Sequence, residues 1–98
     1  MKFYKLGNEE VYLTTNTYAF TRNTVLKAVC RDGEPFGNLT VNLDKLESPD
    51  LAYLNVNLYG IDTEKFIKEN GLGEKKHGRD RQSGYVIYPL YRLNLENL

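Results

Sequence analysis

The sequence predicts an α+β fold: an antiparallel, meander-like β-sheet of five to seven strands, with one short helix at about residues 62–70 packed on it. Short runs of alternating apolar and polar residues, separated by turn residues, indicate half-buried antiparallel strands. Only the stretch 60–73 carries the end signals of a helix. Eight Tyr, ten Asn and no Trp suit a chain of pleated surfaces and turns.

The first two strands are predicted at residues 2–6 and 9–13. Gly7-Asn8 between them is typical of a two-residue, type II′-like hairpin turn. A polar gap, Thr14-Thr15-Asn16, is expected after this hairpin. The implied register pairs Phe3 with Tyr12, Tyr4 with Val11 and Lys5 with Glu10, all favourable cross-strand pairs.

The next strands are predicted at residues 17–21 and 24–31, joined at Arg22-Asn23, and a further hairpin turns at Asp32-Gly33. Its register pairs Thr24 with Val41, Leu26 with Leu39 and Ala28 with Gly37, and it places Cys30 on the same apolar face. A second apolar group is expected on one face, either covered by another element or open to a partner. It consists of Phe20, Val25, Val29 and Phe36.

The second half of the chain is predicted to hold two more strands. Residues 44–50 form a loop with Ser48-Pro49 as its breaker, and strand 51–59 alternates after it. A polar loop follows the helix at 73–83, and the last strand covers 84–93. Because Pro89 has no N–H to donate, this last strand is expected at a sheet edge or with a bulge there.

The helix has a signal at each end. Asp62 is a good N-cap, with Ile61 and Phe66 at the spacing of a hydrophobic staple. Glu64 and Lys68 are expected to pair across one turn. At the other end Gly71, Leu72 and Ile67 have the spacing of a Schellman motif. A helix of about two turns is not stable alone, so we expect it to pack on the sheet.

Composition limits the class of protein. Ninety-eight residues indicate one domain, residues 1–98. Thirteen basic and thirteen acidic residues balance, so no global charge attracts the chain to nucleic acid or membranes. No apolar run approaches the ~20 residues of a membrane span, and we expect no secretory signal. One cysteine allows no internal disulfide, and the protein is expected to be cytoplasmic.

No residue pattern predicts catalysis, a cofactor or a metal site. The glycines at 71, 73 and 78 follow a helix C-terminus, whereas a phosphate loop leads into a helix N-terminus. His77 lies in a polar loop and Cys30 on an apolar strand face, so a nucleophile with its base is not indicated. His77 and Asp80 offer two metal ligands, fewer than a zinc site needs. We therefore expect a protein that is not an enzyme.

One candidate binding surface is the basic loop, residues 74–82. It holds four cations against two anions, and phosphate contacts with nucleic acid need little more than placed Lys and Arg. The alternative is a solvated loop that keeps an edge strand soluble. The four cations are Lys75, Lys76, Arg79 and Arg81.

A second candidate is one face of the predicted strand 51–59. Tyrosine with asparagine combines rigid aromatic area with adaptable hydrogen bonds, which suits protein recognition. The alternative is the solvated face of an antiparallel sheet. This face holds Tyr53, Asn55, Asn57 and Tyr59.

Three segments resemble a known family: Gly37 to Leu43, Phe66 to Gly73 with its ENGLG end, and Ser83 to Tyr91 with YPLY. The family is a set of small bacterial proteins described as domain of unknown function 4313, often found on plasmids and conjugative elements. The likeness spans about residues 35–93, with a partial departure at residues 54–57. The resemblance implies a cytoplasmic accessory protein of a mobile element and assigns no activity or functional residue.

The leading hypothesis is a non-enzymatic accessory module that binds an unidentified protein through the Tyr/Asn face or the edge at Pro89. The alternative is a nucleic-acid-binding protein that uses the basic loop. The sequence indicates no cofactor and leaves the oligomeric state open.

Overall fold

Two four-stranded antiparallel sheets, a two-stranded hairpin and one α-helix make up the protein. The computed structural model describes all residues from Met1 to Leu98. The antiparallel α+β prediction is confirmed, but several small sheets replace one sheet of five to seven strands. In chain order the elements are β1 (Tyr4–Leu6), β2 (Glu9–Thr17), β3 (Thr24–Cys30), β4 (Pro35–Asn38), β5 (Thr40–Val41), β6 (Leu51–Leu54), α1 (Thr63–Glu69), β7 (Gly73–Lys75), β8 (Arg81–Ser83), β9 (Val86–Tyr88), β10 (Leu90–Leu93) and a 3₁₀ turn (Leu95–Asn97).

The first sheet is a meander with strand order β1-β2-β3-β4. Its first hairpin has the predicted register, since Tyr4 pairs with Val11. The rings of Phe3 and Tyr12 meet edge to face, with their centroids 6.1 Å apart. Gly7 has a φ of +61°, as the first position of a type II′ turn requires.

Strand β2 is longer than predicted. The residues expected as a polar gap continue the strand to Thr17, which pairs with Thr24. The predicted strand 17–21 is therefore wrong, and residues 18–23 form a turn closed by a 2.9 Å hydrogen bond from Tyr18 N–H to Asn23 C=O. Threonine favours strands whether buried or exposed. Arg22 takes a φ of +63° in the turn, which is uncommon for a residue with a side chain.

The chain leaves the first sheet at Leu39. Ala28 pairs with Gly37 as predicted, and a bulge follows between Ala28 and Val29. The predicted pair of Thr24 with Val41 is wrong, because Val41 already lies in the second sheet. Thr40 Oγ1 accepts a 3.1 Å hydrogen bond from Leu26 N–H. This side-chain bond takes the place of a backbone pair where the chain passes from the first sheet to the second.

The second sheet has strand order β5-β6-β10-β7. Strand β10 pairs with β6 on one side and β7 on the other, so its predicted edge position is wrong. Pro89 instead separates β9 from β10, and its carbonyl accepts a 3.0 Å hydrogen bond from Leu54 N–H. Strands that are distant in sequence pair without leaving a local pattern. The sequence therefore does not show that β10 lies in the middle of the second sheet.

Two other boundaries differ from prediction. Strand β6 ends at Leu54, so the predicted strand 51–59 is wrong beyond that residue. Residues 55–60 turn instead, with positive φ at Tyr59 and Gly60. The predicted polar loop 73–83 contains strands β7 and β8. Each has only three residues, too few for a periodic apolar pattern.

The helix ends are as predicted. The Asp62 carboxylate accepts a 3.0 Å hydrogen bond from Lys65 N–H at the N-cap. At the C-terminal end Leu72 N–H donates to Ile67 C=O at 2.9 Å, and Gly71 has a φ of +64°. These are the features of a Schellman motif.

The predicted pair of Glu64 with Lys68 does not form. Glu64 instead accepts a 2.6 Å hydrogen bond from the Tyr91 hydroxyl and lies 3.8 Å from Lys75 Nζ. Glu64 therefore ties the helix to β10 and β7. The helix spans seven residues, and no helix of the protein could cross a bilayer.

Strand β6 is buried on both faces. Ala52 and Leu54 face the main core, which also takes side chains from the first sheet and the helix. Leu51 and Tyr53 face a smaller cluster with Leu46 and Leu90. Strand β6 thus lies between two apolar layers, which explains why all four of its residues are buried.

Candidate interaction surfaces

The basic loop is not an open cluster of free cations. The guanidinium of Arg79 donates two hydrogen bonds to the Glu47 carboxylate, at 2.7 and 3.1 Å. The hydrogen bond from Arg79 is the main reason why the pKa of Glu47 is lowered to about 2. Arg81 Nε donates to Asp44 at 2.6 Å. These pairs hold the hairpin β8–β9 to loop 44–50.

The remaining two cations differ from each other. Lys75 lies on β7 with its ammonium 3.8 Å from Glu64, and both side chains are about two-thirds or more buried. Lys76 forms no ion pair, and its backbone N–H donates to Leu90 C=O at 2.8 Å. One of the four predicted phosphate contacts is thus free of a carboxylate, and a phosphate would have to displace carboxylates from the other three.

The structure splits the predicted Tyr/Asn face. Tyr53 is buried on β6, where burial, and to a lesser degree Asp44, raise the pKa of its hydroxyl. Asn55 lies past the strand end, and its side chain donates to Asn38 C=O at 3.0 Å and accepts from Asn57 N–H at 3.1 Å. The four residues therefore do not share one sheet face, because the strand stops before Asn55.

Asn57 and Tyr59 stay exposed in the turn that replaces the predicted strand. Tyr59 is 75% exposed at a φ of +51°. Its ring meets that of Phe36 on β4 edge to face, with the centroids 5.7 Å apart. We call Phe36, Asn57 and Tyr59 the Tyr59 surface.

Gly37 allows the turn to lie against β4. A Cβ at Gly37 would come within 2.8 Å of Leu58 Cδ1 and 3.7 Å of the Tyr59 ring. Leu58 is buried beneath the turn. A glycine inside a strand is the one sequence signal that could have placed another segment close to β4.

A family model matches residues 12–98, described as domain of unknown function (DUF4313). The chain belongs to the DUF4313 family. No curated protein and no solved structure matches it. The match covers every element from β3 onward and β2 from Tyr12, including both candidate surfaces.

The most exposed aromatic side chains of this DUF4313 chain lie outside both candidate surfaces. Phe20 lies in the turn 18–23 and is 95% exposed, so its predicted grouping with Val29, which is buried, is wrong. Tyr85 at the tip of the β8–β9 hairpin is fully exposed, and Ile87 beside it is more than half exposed. Apolar residues outside a periodic pattern give no hint that they lie on the surface.

The two reactive side chains of the DUF4313 chain belong to different sheets: Cys30 ends β3 of the first, and His77 follows β7 of the second. Cys30, predicted on an apolar face, packs at the rim of the core and is only half-buried. Partial burial and the carboxylates of Glu9, Asp32 and Glu34 raise the pKa of its thiol, which disfavours the thiolate. His77 is exposed in the loop after β7. No group of three or more His, Cys, Asp or Glu side chains could hold a metal ion.

Proposed function

We propose that this DUF4313 protein is a non-enzymatic, cytoplasmic accessory module of a bacterial mobile element that binds another protein through the Tyr59 surface. The observation that carries the proposal is an exposed aromatic side chain held at positive φ. For a bulky residue this conformation costs of order 1–3 kcal/mol, and such strain persists where the surroundings enforce it, often at functional sites.

The turn around Tyr59 is already ordered. Ile61 N–H donates to Leu58 C=O at 2.9 Å, and the Asn55 side chain fixes Asn57. Binding therefore needs little further ordering of this segment, which reduces its entropic cost. Tyrosine is enriched among the residues that dominate binding energy, and the Asn57 amide supplies adaptable hydrogen bonds.

The mobile-element part of the proposal is supported by the segments that resemble plasmid and conjugative-element proteins. The DUF4313 match agrees with that resemblance and covers all three segments. The balanced charge of the chain favours a protein partner over a polyanion.

Site-specific photocrosslinking in the native host tests the proposal. A benzophenone amino acid placed at Tyr59 is expected to trap one specific protein, and the same probe at Tyr85 is the control on another exposed aromatic. Tyr59→Asn should abolish recovery of that protein with an unchanged circular dichroism spectrum, since Asn tolerates positive φ. Crosslinks of equal yield at both positions, or binding unaffected by Tyr59→Asn, would count against the Tyr59 surface.

Nucleic-acid binding through the basic loop stays the alternative prediction. Titration of labelled single- and double-stranded DNA at two salt concentrations tests it. Binding that weakens with salt and is lost when Lys76, Arg79 and Arg81 are changed to Ala would favour it over the protein-binding proposal. Because Glu47 and Asp44 already pair with two of these residues, we expect no such binding.

A further inference from the structure

The first sheet has an open edge along the second half of β2. Strand β1 pairs only with Glu9, Glu10 and Val11, whereas β3 follows β2 as far as Thr17. Residues 13–17 therefore have no strand on their outer side, and we call them the β2 edge. Leu13 is half-buried and residues 14–17 are exposed.

Alternate backbone groups of the β2 edge point outward. Tyr18 N–H donates to Asn23 C=O, and Arg31 N–H donates to Glu10 C=O. Even-numbered residues of β2 therefore bond to β3, and the N–H and C=O groups of the odd-numbered residues face away from it. Thr17 N–H is engaged by the Asn16 side chain at 2.8 Å. The outward groups of Leu13 and Thr15 have no side-chain or loop partner.

The β2 edge lacks the usual protection against strand pairing. Proteins guard edges with charges, proline, bulges or short strands. Residues 11–21 contain no charged residue and no proline. The opposite edge, β4, is guarded: it begins with Pro35, pairs through a bulge, and has its Asn38 carbonyl occupied by Asn55. Strand β1 is an edge of three residues with an exposed Lys5, so the β2 edge is the longest unguarded edge segment of the first sheet.

We propose that the β2 edge is the interface of a symmetric dimer, in which β2 pairs antiparallel with β2 of a second copy. A two-fold axis at Thr15 sets Leu13 opposite Thr17 of the second copy and Thr14 opposite Asn16. In this register outward groups meet outward groups: Thr15 exchanges both backbone hydrogen bonds with its symmetry mate, and Leu13 N–H meets the Thr17 carbonyl. The two first sheets then form one continuous sheet.

The residues of the β2 edge favour a second copy of this chain as the strand that pairs with it. A residue on a two-fold axis faces itself, so a charge there would be repelled, whereas paired threonines are favourable. The pairing ends at Leu13 and Thr17, because Phe3 of the same copy already lies beside Tyr12 on the outer side of β2. The exposed turn that carries Phe20 follows directly after the paired segment.

The Phe20 turn is ordered before any pairing. The buried Asn23 side chain accepts a 2.9 Å hydrogen bond from Leu46 N–H and donates at 2.8 Å to Asp44 C=O. The paired segment is short, about 17 Å at ~3.4 Å per residue. We expect a buried area at the low end for specific interfaces, about 1,200 Å² or less, and therefore a dimer that depends on protein concentration.

Sedimentation velocity over a wide range of protein concentration tests the dimer. The wild-type protein should shift from monomer to dimer. Thr15→Lys and Thr15→Glu should each remain monomeric, because a like charge then faces itself across the axis, and an equimolar mixture of the two should dimerise again. Ser83→Lys adds the same charge to exposed β8 and should behave as wild type, as should Tyr59→Asn, which separates this interface from the Tyr59 surface.

A wild-type protein that stays monomeric at every concentration overturns the proposal. So does dimerisation of both single variants at the wild-type concentration, which would assign the dimer to another surface such as the β8–β9 hairpin. So does a mixture of folded Thr15 variants that fails to associate. Amide hydrogen exchange gives a second measurement: the Thr15 amide should become protected as concentration rises, whereas the Thr14 amide, already bonded to β3, should not change.

Discussion

Gly73 lets β7 pair closely with β10 because it has no side chain. A Cβ at this position would lie 2.6 Å from the Arg92 carbonyl oxygen and 3.3 Å from Leu93 Cα. Both atoms belong to the backbone of β10, which is also paired with β6 and has little freedom to move aside. Gly73 is therefore required for close approach of two strands rather than for an unusual φ.

We predict that Gly73→Ala lowers the free energy of unfolding by about 1–3 kcal/mol, as overpacking in a tight site does. Urea denaturation measures the change. Gly37→Ala is the matched control, because its added Cβ would meet the movable end of Leu58 at 2.8 Å. We expect a smaller loss there, and equal losses in the two variants would contradict the argument.

The β8–β9 hairpin depends on ion pairs at the scale of an element. It bonds to neither four-stranded sheet, and isolated two-stranded hairpins are marginally stable. Tyr88 packs on the smaller apolar cluster, and the pairs of Arg79 with Glu47 and Arg81 with Asp44 join this region to loop 44–50. The hairpin is thus attached by a few side chains rather than by a strand ladder.

We predict that the Glu47 carboxyl titrates with a midpoint near 2, below its ordinary value near 4.5, and that hairpin amide signals titrate with it. A lowered pKa means that the contribution of the pair is fully present above about pH 4.5 and is lost as pH falls toward 2. NMR of the carboxyl carbon measures the midpoint. In Arg79→Gln it should rise toward 4.5, and a wild-type midpoint already there would disprove the pairing.

Element ends closed by nearby residues could be predicted, and contacts distant in sequence could not. The Gly7 turn, the Asp62 cap and the Gly71 end are each satisfied within a few residues, so local rules suffice. The end of β6 at Leu54 depends on β10, which the local pattern does not reveal. Strand pairing depends on contacts between segments that come together only in the folded chain.

The candidate sites follow the same rule. Asn57 and Tyr59 are exposed as predicted, whereas Tyr53 is buried because the smaller cluster covers its face of β6. Arg79 and Arg81 looked like free cations because their partners, Glu47 and Asp44, lie more than thirty residues away. The sequence gives the charges of a loop, but only the folded structure shows which carboxylates pair with them.

At the scale of the whole molecule, the main core joins both sheets. Leu26 and Ala28 come from the first sheet, Leu54 and Tyr91 from the second, and Ile67 from the helix. Neither sheet can open without exposing the side chains of the other, so local unfolding of one sheet is costly. One domain over residues 1–98 stays a prediction.

We predict one cooperative unfolding transition. Far-UV circular dichroism follows the strands, and tyrosine fluorescence follows the cores, since the chain has no Trp. The two curves should coincide in urea, as a two-state domain requires. In the control variant Ser83→Gly, on the peripheral hairpin, the two unfolding curves should still coincide. Separate midpoints in the wild type would show that the sheets unfold independently.

The central position of β10 also governs the order of assembly during synthesis. The first sheet joins neighbours in sequence and can form on a nascent chain once Asn38 has emerged. The second sheet must wait for Leu90, because β6 and β7 are linked only through β10. A ribosome that stalls before Leu90 therefore leaves one edge of β6 unpaired and the smaller cluster of Leu51 and Tyr53 without Leu90. Such an edge is prone to aggregate or to recruit a chaperone.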